Sequence, residues 1–204
     1  AAAGNIVEDT TPQLGGDLDA NGFDIQFNDA TGIRDDSDNE QLIFQKTATA
    51  VNYFEITNAA TGNAPSFTAN GSDTNIDLEI DSKGTGIVNI KSEVKVDLSL
   101  TFASETDNGN SSTADTIDWG AGNKQKSTLT GNCTYTFTAP DGVGNFLFKV
   151  IQDATGSRTV TWPASVKWPG GTAPTLSTAA NSVDIITFYY DGTSYYGVAS
   201  LLFS

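Results

Sequence analysis

The chain has 204 residues, a formal net charge of −15 and a hydrophobic share of 38%. Its 10 basic residues form no cluster, which excludes the phosphate-neutralising patches of nucleic-acid-binding proteins and opposes binding to anionic membrane surfaces. No apolar run approaches the roughly 20 residues that span a bilayer. The single cysteine, Cys133, excludes an intrachain disulfide and is expected to be a small buried residue. We therefore expect neither a nucleic-acid partner nor membrane insertion.

Short apolar runs broken by Gly, Asn, Asp or Pro dominate the sequence, and no window shows an apolar stripe at helical spacing. This texture predicts an all-β fold. Changes in composition divide the chain into an N-terminal attachment arm at 1–30, a β-repeat shaft at 31–103, a linker at 104–116 and a compact head at 117–204.

The arm is polar and is interrupted by the turn pairs Gly15-Gly16 and Asn21-Gly22. Its apolar side chains are too few for an independent core, so the arm must pack on another subunit or on a larger assembly. The candidates for this attachment are Leu14, Leu18, Phe23 and Ile25.

Residues 31–75 contain the short segment 31–33, the predicted strands 41–45 and 51–56, and a polar stretch at 58–75 from which short strands and turn pairs recur up to Phe102. Between the first two of these segments, the acidic stretch 35–40 invites a calcium interpretation. Counted from Asp36, the sixth loop position of an EF-hand is Gln41 instead of Gly, and the twelfth is Thr47 instead of Glu. The stretch is therefore predicted to be a solvated turn, and no metal site is expected.

Residues 76–102 are predicted to form three strands, Ile76–Ile80, Ile87–Ile90 and Val94–Phe102. The third alternates apolar and polar residues over its whole length, which is typical of a strand with one buried face. The upstream sequence is too polar to cover that face, which leaves the C-terminal half of the chain or other copies of it. Other copies are preferred, since an interwoven shaft lets each copy bury what it cannot bury alone. The candidate interface residues are Val94, Val96, Leu98, Leu100 and Phe102.

The head is denser in aromatic residues than the rest of the chain. Its alternating runs predict short antiparallel strands in a β-sandwich that resembles a jelly roll. The predicted strands are 116–119, 125–129, 134–138, 145–152, 158–162, 183–190, 194–199 and 201–203.

Three stretches resemble modules of bacteriophage tail-fibre and related virion appendage proteins: 9–22 (DTTPQLGGDLDANG), 71–86 (GSDTNIDLEIDSKGTG) and 162–196, from Trp162-Pro163 to Tyr195-Tyr196. The resemblance implies a homotrimer on the phage particle surface, attached to other virion proteins by its N-terminus, with a β-rich shaft and a distal head that contacts a host receptor. Tail fibres, head fibres and capsid decoration proteins share such modules, so a decoration protein that stabilises the capsid without receptor binding is the alternative.

The chain has no histidine, which removes Ser-His-Asp, Cys-His and His-metal chemistry, and no cofactor motif is present. A glycan depolymerase needs only two carboxylates and is kept as a less favoured hypothesis. We expect a non-enzymatic protein whose aromatic side chains stack on sugar rings or proteins. The candidate ligand-binding residues are Trp162, Trp168, Tyr190 and Tyr195. Consecutive tyrosines must point to opposite faces of a strand, so one of each pair serves the core.

Overall fold

A computed structural model describes residues 24–203 of the chain. The described residues divide into two compact units, one that ends at Glu93 and one that begins at Val94. Apart from one 3-10 turn at Pro169–Gly171, every regular element of the described residues is a strand, which confirms the all-β prediction. No helix in this range could cross a membrane. The attachment candidates Leu14, Leu18 and Phe23 lie outside the described residues, whereas Ile25 is exposed.

The first unit contains two antiparallel hairpins. One joins β1 (Thr31–Arg34) to β2 (Glu40–Phe44), and the other joins β3 (Asn52–Thr57) to β4 (Ser66–Gly71). β2 and β3 confirm the strands predicted at 41–45 and 51–56.

The acidic stretch between β1 and β2 is a hairpin turn. The Asp35 carboxylate accepts hydrogen bonds from the backbone N–H groups of Ser37 and Asn39, each at 2.9 Å. The Asn39 N–H contributes most to holding the pKa of Asp35 below its usual value. Within residues 24–203, no group of three or more Cys, Asp or Glu residues is placed to hold a metal ion.

No side chain between residues 24 and 110 is buried. Large apolar side chains are nevertheless frequent there, and many are at least 40% exposed. They include Phe44, Tyr53, Phe54, Ile56, Phe67, Ile80, Ile87 and Ile90. Full burial of such a side chain contributes about 1.5–3 kcal/mol, and each of these side chains forgoes a substantial part of that free energy. This part of one chain therefore has no core of its own.

The three strands predicted between Ile76 and Phe102 do not form within one chain, because no paired strand lies between β4 and residue 106. A strand requires a hydrogen-bonded neighbour, and a single chain supplies none here. The alternating apolar row is present but uncovered, with Leu98 92% and Leu100 73% exposed.

The second unit contains nine strands that form a six-stranded and a three-stranded sheet. The strands are β5 (Thr106–Ser111), β6 (Ala114–Asp118), β7 (Lys124–Leu129), β8 (Cys133–Thr138), β9 (Gly144–Gln152), β10 (Val160–Thr161), β11 (Val166–Lys167), β12 (Val183–Tyr190) and β13 (Tyr195–Phe203).

The chain winds as a coil through the first six of these strands. β5, β7 and β9 pair in parallel in the large sheet, while β6, β8 and β10 pair in parallel in the small sheet. Each turn of the coil therefore adds one strand to each layer. The hairpin β12–β13 then extends the large sheet in antiparallel fashion. The predicted two-layer head and most strand positions are confirmed, whereas the antiparallel jelly-roll topology is wrong.

Residues 104–116, predicted to be a linker, instead supply β5 and the beginning of β6. Ser111 is 1% exposed, and its hydroxyl contacts the Ser127 hydroxyl and the Asp115 carboxylate. Polar side chains can be buried in this way when their hydrogen bonds are satisfied, and composition alone does not reveal that.

The core lies between the two sheets and is largely aromatic. Trp119 is at its centre, at the end of β6, and its ring meets Phe146 at 4.9 Å and Phe188 at 5.8 Å between centroids. Cys133 is buried, as expected. The head therefore has the core that residues 24–110 lack.

Two buried tyrosines offer a matched test of core hydrogen bonding. Burial raises the pKa of both Tyr135 and Tyr195 to about 12, so both phenols stay protonated. The Tyr135 hydroxyl donates to the Ser127 hydroxyl at 3.0 Å, whereas the Tyr195 hydroxyl has no partner among residues 24–203. We expect Tyr135→Phe to lower the free energy of unfolding by about 1 kcal/mol and Tyr195→Phe to leave it unchanged or raise it. Urea denaturation of both variants measures these changes in the free energy of unfolding. Equal losses in the two variants would contradict the expectation.

Candidate functional site

The two predicted tryptophans line one groove of about 390 Å³ in the head. Their ring centroids lie 5.4 Å apart, with the planes inclined by 62°. Between and around the rings, the groove is lined by Val160, Thr161, Pro163, Ala164, Val166, Gly171 and Ala173.

Local backbone geometry fixes Trp168 in the wall of this groove. Its carbonyl accepts a hydrogen bond from the Gly171 N–H at 2.9 Å, which closes the turn Pro169–Gly171. Gly170 and Gly171 have φ angles of 68° and 76°, a left-handed conformation that favours glycine. On its inner side the Trp168 ring packs so closely on Gly197 that a Cβ there would lie 2.6 Å from the ring. The ring is therefore held rigidly.

Both tryptophans are half-buried and pack against the core, so each ring serves the core with one edge and the groove with another. None of the lining residues is ionisable. Such a wall can stack on the face of a sugar ring or receive an apolar side chain, and it offers no acid, base or nucleophile.

Tyr190 and Tyr195, the other two candidates, are not available to a ligand. They are 7% and 2% exposed, and their rings stack at 4.3 Å inside the core. The choice was wrong because alternation alone does not say which tyrosine of each pair points inward. In the structure Tyr190 lies on the same inward face of β12 as Phe188, which is 2% exposed.

The outward partners, Tyr189 and Tyr196, were missed as site residues. They are 50% and 49% exposed and stack across β12 and β13 with centroids 6.3 Å apart. The Tyr196 hydroxyl donates to the Asp191 carboxylate at 3.1 Å, and that hydrogen bond raises the pKa of Tyr196. Both rings line a second groove, of about 540 Å³, together with Phe102, Lys124, Asn145 and Leu147.

Residues 112–195 match the protein-family model described as "Putative phage tail fibre C-terminal domain". The match extends from just before β6 to the first residue of β13 and includes both tryptophans of the groove. Comparison with curated proteins and with solved structures finds no significant match. Tail-fibre domains are structural components of the virion. Residues 112–195 are therefore similar to a phage tail-fibre C-terminal domain, which supports a structural fibre protein located on the phage particle.

Proposed function

We propose that the chain forms a homotrimeric fibre that attaches to the virion through its N-terminal segment and presents its C-terminal unit to the host surface. The observation that carries this proposal is the contrast in burial along the chain. Residues 24–110 bury no side chain, whereas the sheets that follow enclose an aromatic core.

Uncovered apolar surface of this extent is unfavourable in water and is typical of obligate interfaces. Other copies of the chain supply the missing cover if the row from Val94 to Phe102 of each copy faces its neighbours. Three copies are proposed because the fibre modules that the chain resembles are trimeric. The tail-fibre family match supports a fibre over a capsid decoration protein.

Light scattering on the purified chain tests the assembly. We expect a molar mass of three times 21.4 kDa, and a mass of 21.4 kDa would contradict the proposal. Leu98→Asp should lower the association constant more than tenfold, since each copy would bury an unpaired charge at a cost of about 2 kcal/mol or more. Thr101→Asp, on the polar side of the same row, is the matched control and should leave the trimer intact.

For the host contact, we propose the groove between Trp162 and Trp168. Its aromatic wall suits a cell-surface glycan, and three heads on one fibre convert weak single contacts into firm attachment. An apolar side chain of a host protein would also fit this wall. Competition by purified host polysaccharide distinguishes a glycan from a protein ligand.

Ala173 lies exposed on the rim of this groove, so Ala173→Glu should obstruct it with little effect on stability. We expect the labelled Ala173→Glu chain to bind host cells at least tenfold more weakly than the wild type. Ala139→Glu, which adds the same charge at an exposed turn elsewhere in the head, should bind normally. Purified host polysaccharide should compete with the wild type. Equal binding by both variants would remove this groove from the host contact.

A further inference from the structure

We propose that the outward face of the six-stranded sheet is the surface through which the heads of neighbouring copies pack against one another. This inference rests on the trimeric fibre proposed above and names a contact surface within it. We call this surface the outer sheet face. It consists of the outward side chains of β7, β9, β12 and β13.

The outer sheet face is apolar over much of its area. Strand register places Val198, Thr187 and Leu147 in one row across three strands, and Tyr196, Tyr189 and Asn145 in the next. Val198 is 58% exposed. Towards the other end of these strands, Ile185, Val183 and Ile151 continue the face and are half-buried. Exposed aliphatic and aromatic side chains in adjoining rows are typical of an interface core.

The small sheet shows what a solvated face of this head looks like. Its outward residues on β6 and β8 are short and mostly polar, and the hydroxyls of Thr116 and Thr136 lie 2.7 Å apart in a hydrogen bond. All of these outward residues are exposed: Ala114, Thr116, Asp118, Thr134, Thr136 and Thr138. The two outer faces of one head therefore differ in the way that a free surface differs from a covered one.

The outer sheet face is continuous with the uncovered apolar row that precedes the head. Phe102, the last residue of that row, lines the groove beside Leu147, Tyr189 and Tyr196. Its ring lies 5.2 Å from the Lys124 ammonium, a cation–π contact that holds it at the sheet. Copies that cover the row from Val94 to Phe102 consequently arrive next to this face.

Charge on the outer sheet face also suits a second copy of this acidic chain. Three of the 10 basic residues of the chain lie on this face: Lys124, Lys126 and Lys149. They project from the neighbouring strands β7 and β9. Lys126 pairs with Asp107 at 3.1 Å and Lys149 pairs with Glu105 at 2.6 Å. These five side chains sum to +1, against −15 for the chain, so like-charged copies can meet here without strong repulsion.

Distances between spin labels in the full-length assembly test the inference. Val198→Cys and Thr187→Cys place a label on the outer sheet face, whereas Thr136→Cys places one on the solvated face. Native Cys133 can stay, because it is 2% exposed, and the unmutated chain measures its background labelling. We expect shorter distances between subunits from positions 198 and 187 than from 136, and restricted label motion only at 198 and 187. A trimer that survives labelling at 136 but dissociates on labelling at 198 supports the same conclusion.

Mobile labels with longer distances at 198 and 187 than at 136 would overturn the inference. Molar mass, measured on the same samples, separates the two proposals. A trimer with distant, mobile outer-face labels keeps the fibre and rejects this surface, whereas monomers in every sample, including the unmutated chain, reject both.

Discussion

Replacing Trp119 with Ala is expected to lower the free energy of unfolding of the head by about 3–5 kcal/mol, because the change empties the centre of an aromatic core. Trp119 is 2% exposed. Its ring lies within 6.4 Å, between centroids, of five others: Phe137, Phe146, Phe148, Phe188 and Tyr195. These rings come from both sheets, so the loss weakens the contact between the layers.

Urea denaturation followed by near-ultraviolet circular dichroism, at matched protein concentration, measures this loss. Trp119→Phe is the control, since the indole Nε1 has no hydrogen-bond partner among residues 24–203 and only ring volume is removed. It should retain more than half of the stability that Trp119→Ala loses. A loss below about 1 kcal/mol for Trp119→Ala would mean that the core does not depend on this ring.

Asp184→Ala should cost about 3 kcal/mol or more, because Asp184 is a buried carboxylate that satisfies donors from two other segments. It is 2% exposed on the inner face of β12. Its oxygens accept from the Ser177 N–H at 2.7 Å, the Ser177 hydroxyl at 2.6 Å and the Leu202 N–H at 2.9 Å. Truncation to Ala leaves these three donors without an acceptor. It also removes the side chain that connects β12 to the loop before it and to the end of β13.

Thermal denaturation combined with amide hydrogen exchange distinguishes the loss of these Asp184 hydrogen bonds from a general packing effect. Exchange should accelerate most at Ser177 and Leu202. Asp184→Asn keeps the shape but turns an NH₂ group towards a donor, so it should recover only part of the loss. Full stability in Asp184→Asn would show that the negative charge contributes nothing.

Strand positions in the head could be predicted from sequence because their alternation is strong. The predicted strand 183–190 coincides with β12, since six of its eight residues are β-branched aliphatic or aromatic and the turn pair Asp191-Gly192 follows it. Alternation says nothing about the direction of the neighbouring strand, which depends on how the chain returns between strands. The parallel coil from β5 to β10 could therefore not be predicted from the sequence.

β5 escaped prediction for a different reason. Thr106–Ser111 carries no apolar side chain, and Gly109 has a φ of 73° beside a register shift between Asp107 and Asn110. The strand forms because its backbone pairs with β7 and because the Ser111 hydroxyl has buried hydrogen-bond partners. Both causes lie far away in sequence.

Half of the candidate site could be predicted. Trp168 stands out because it lies in a Pro- and Gly-rich loop, where binding residues concentrate. The tyrosines could not be sorted without knowing which face of β12 is covered. The assignment of Tyr190 and Tyr195 inverted the true pattern, because an inward and an outward tyrosine are identical in a local sequence window.

The unequal distribution of core along the chain also sets an order of folding. The head can fold in a unimolecular step, since its core comes from one chain. In the proposed trimer, residues 24–110 would gain apolar cover only after chains meet, so their ordering would depend on protein concentration. Association of three folded heads would tether the preceding segments at an effective concentration in the millimolar range, and their pairing would proceed from the C-terminal end. Under that proposal, the head would align three identical chains before the weaker pairings form.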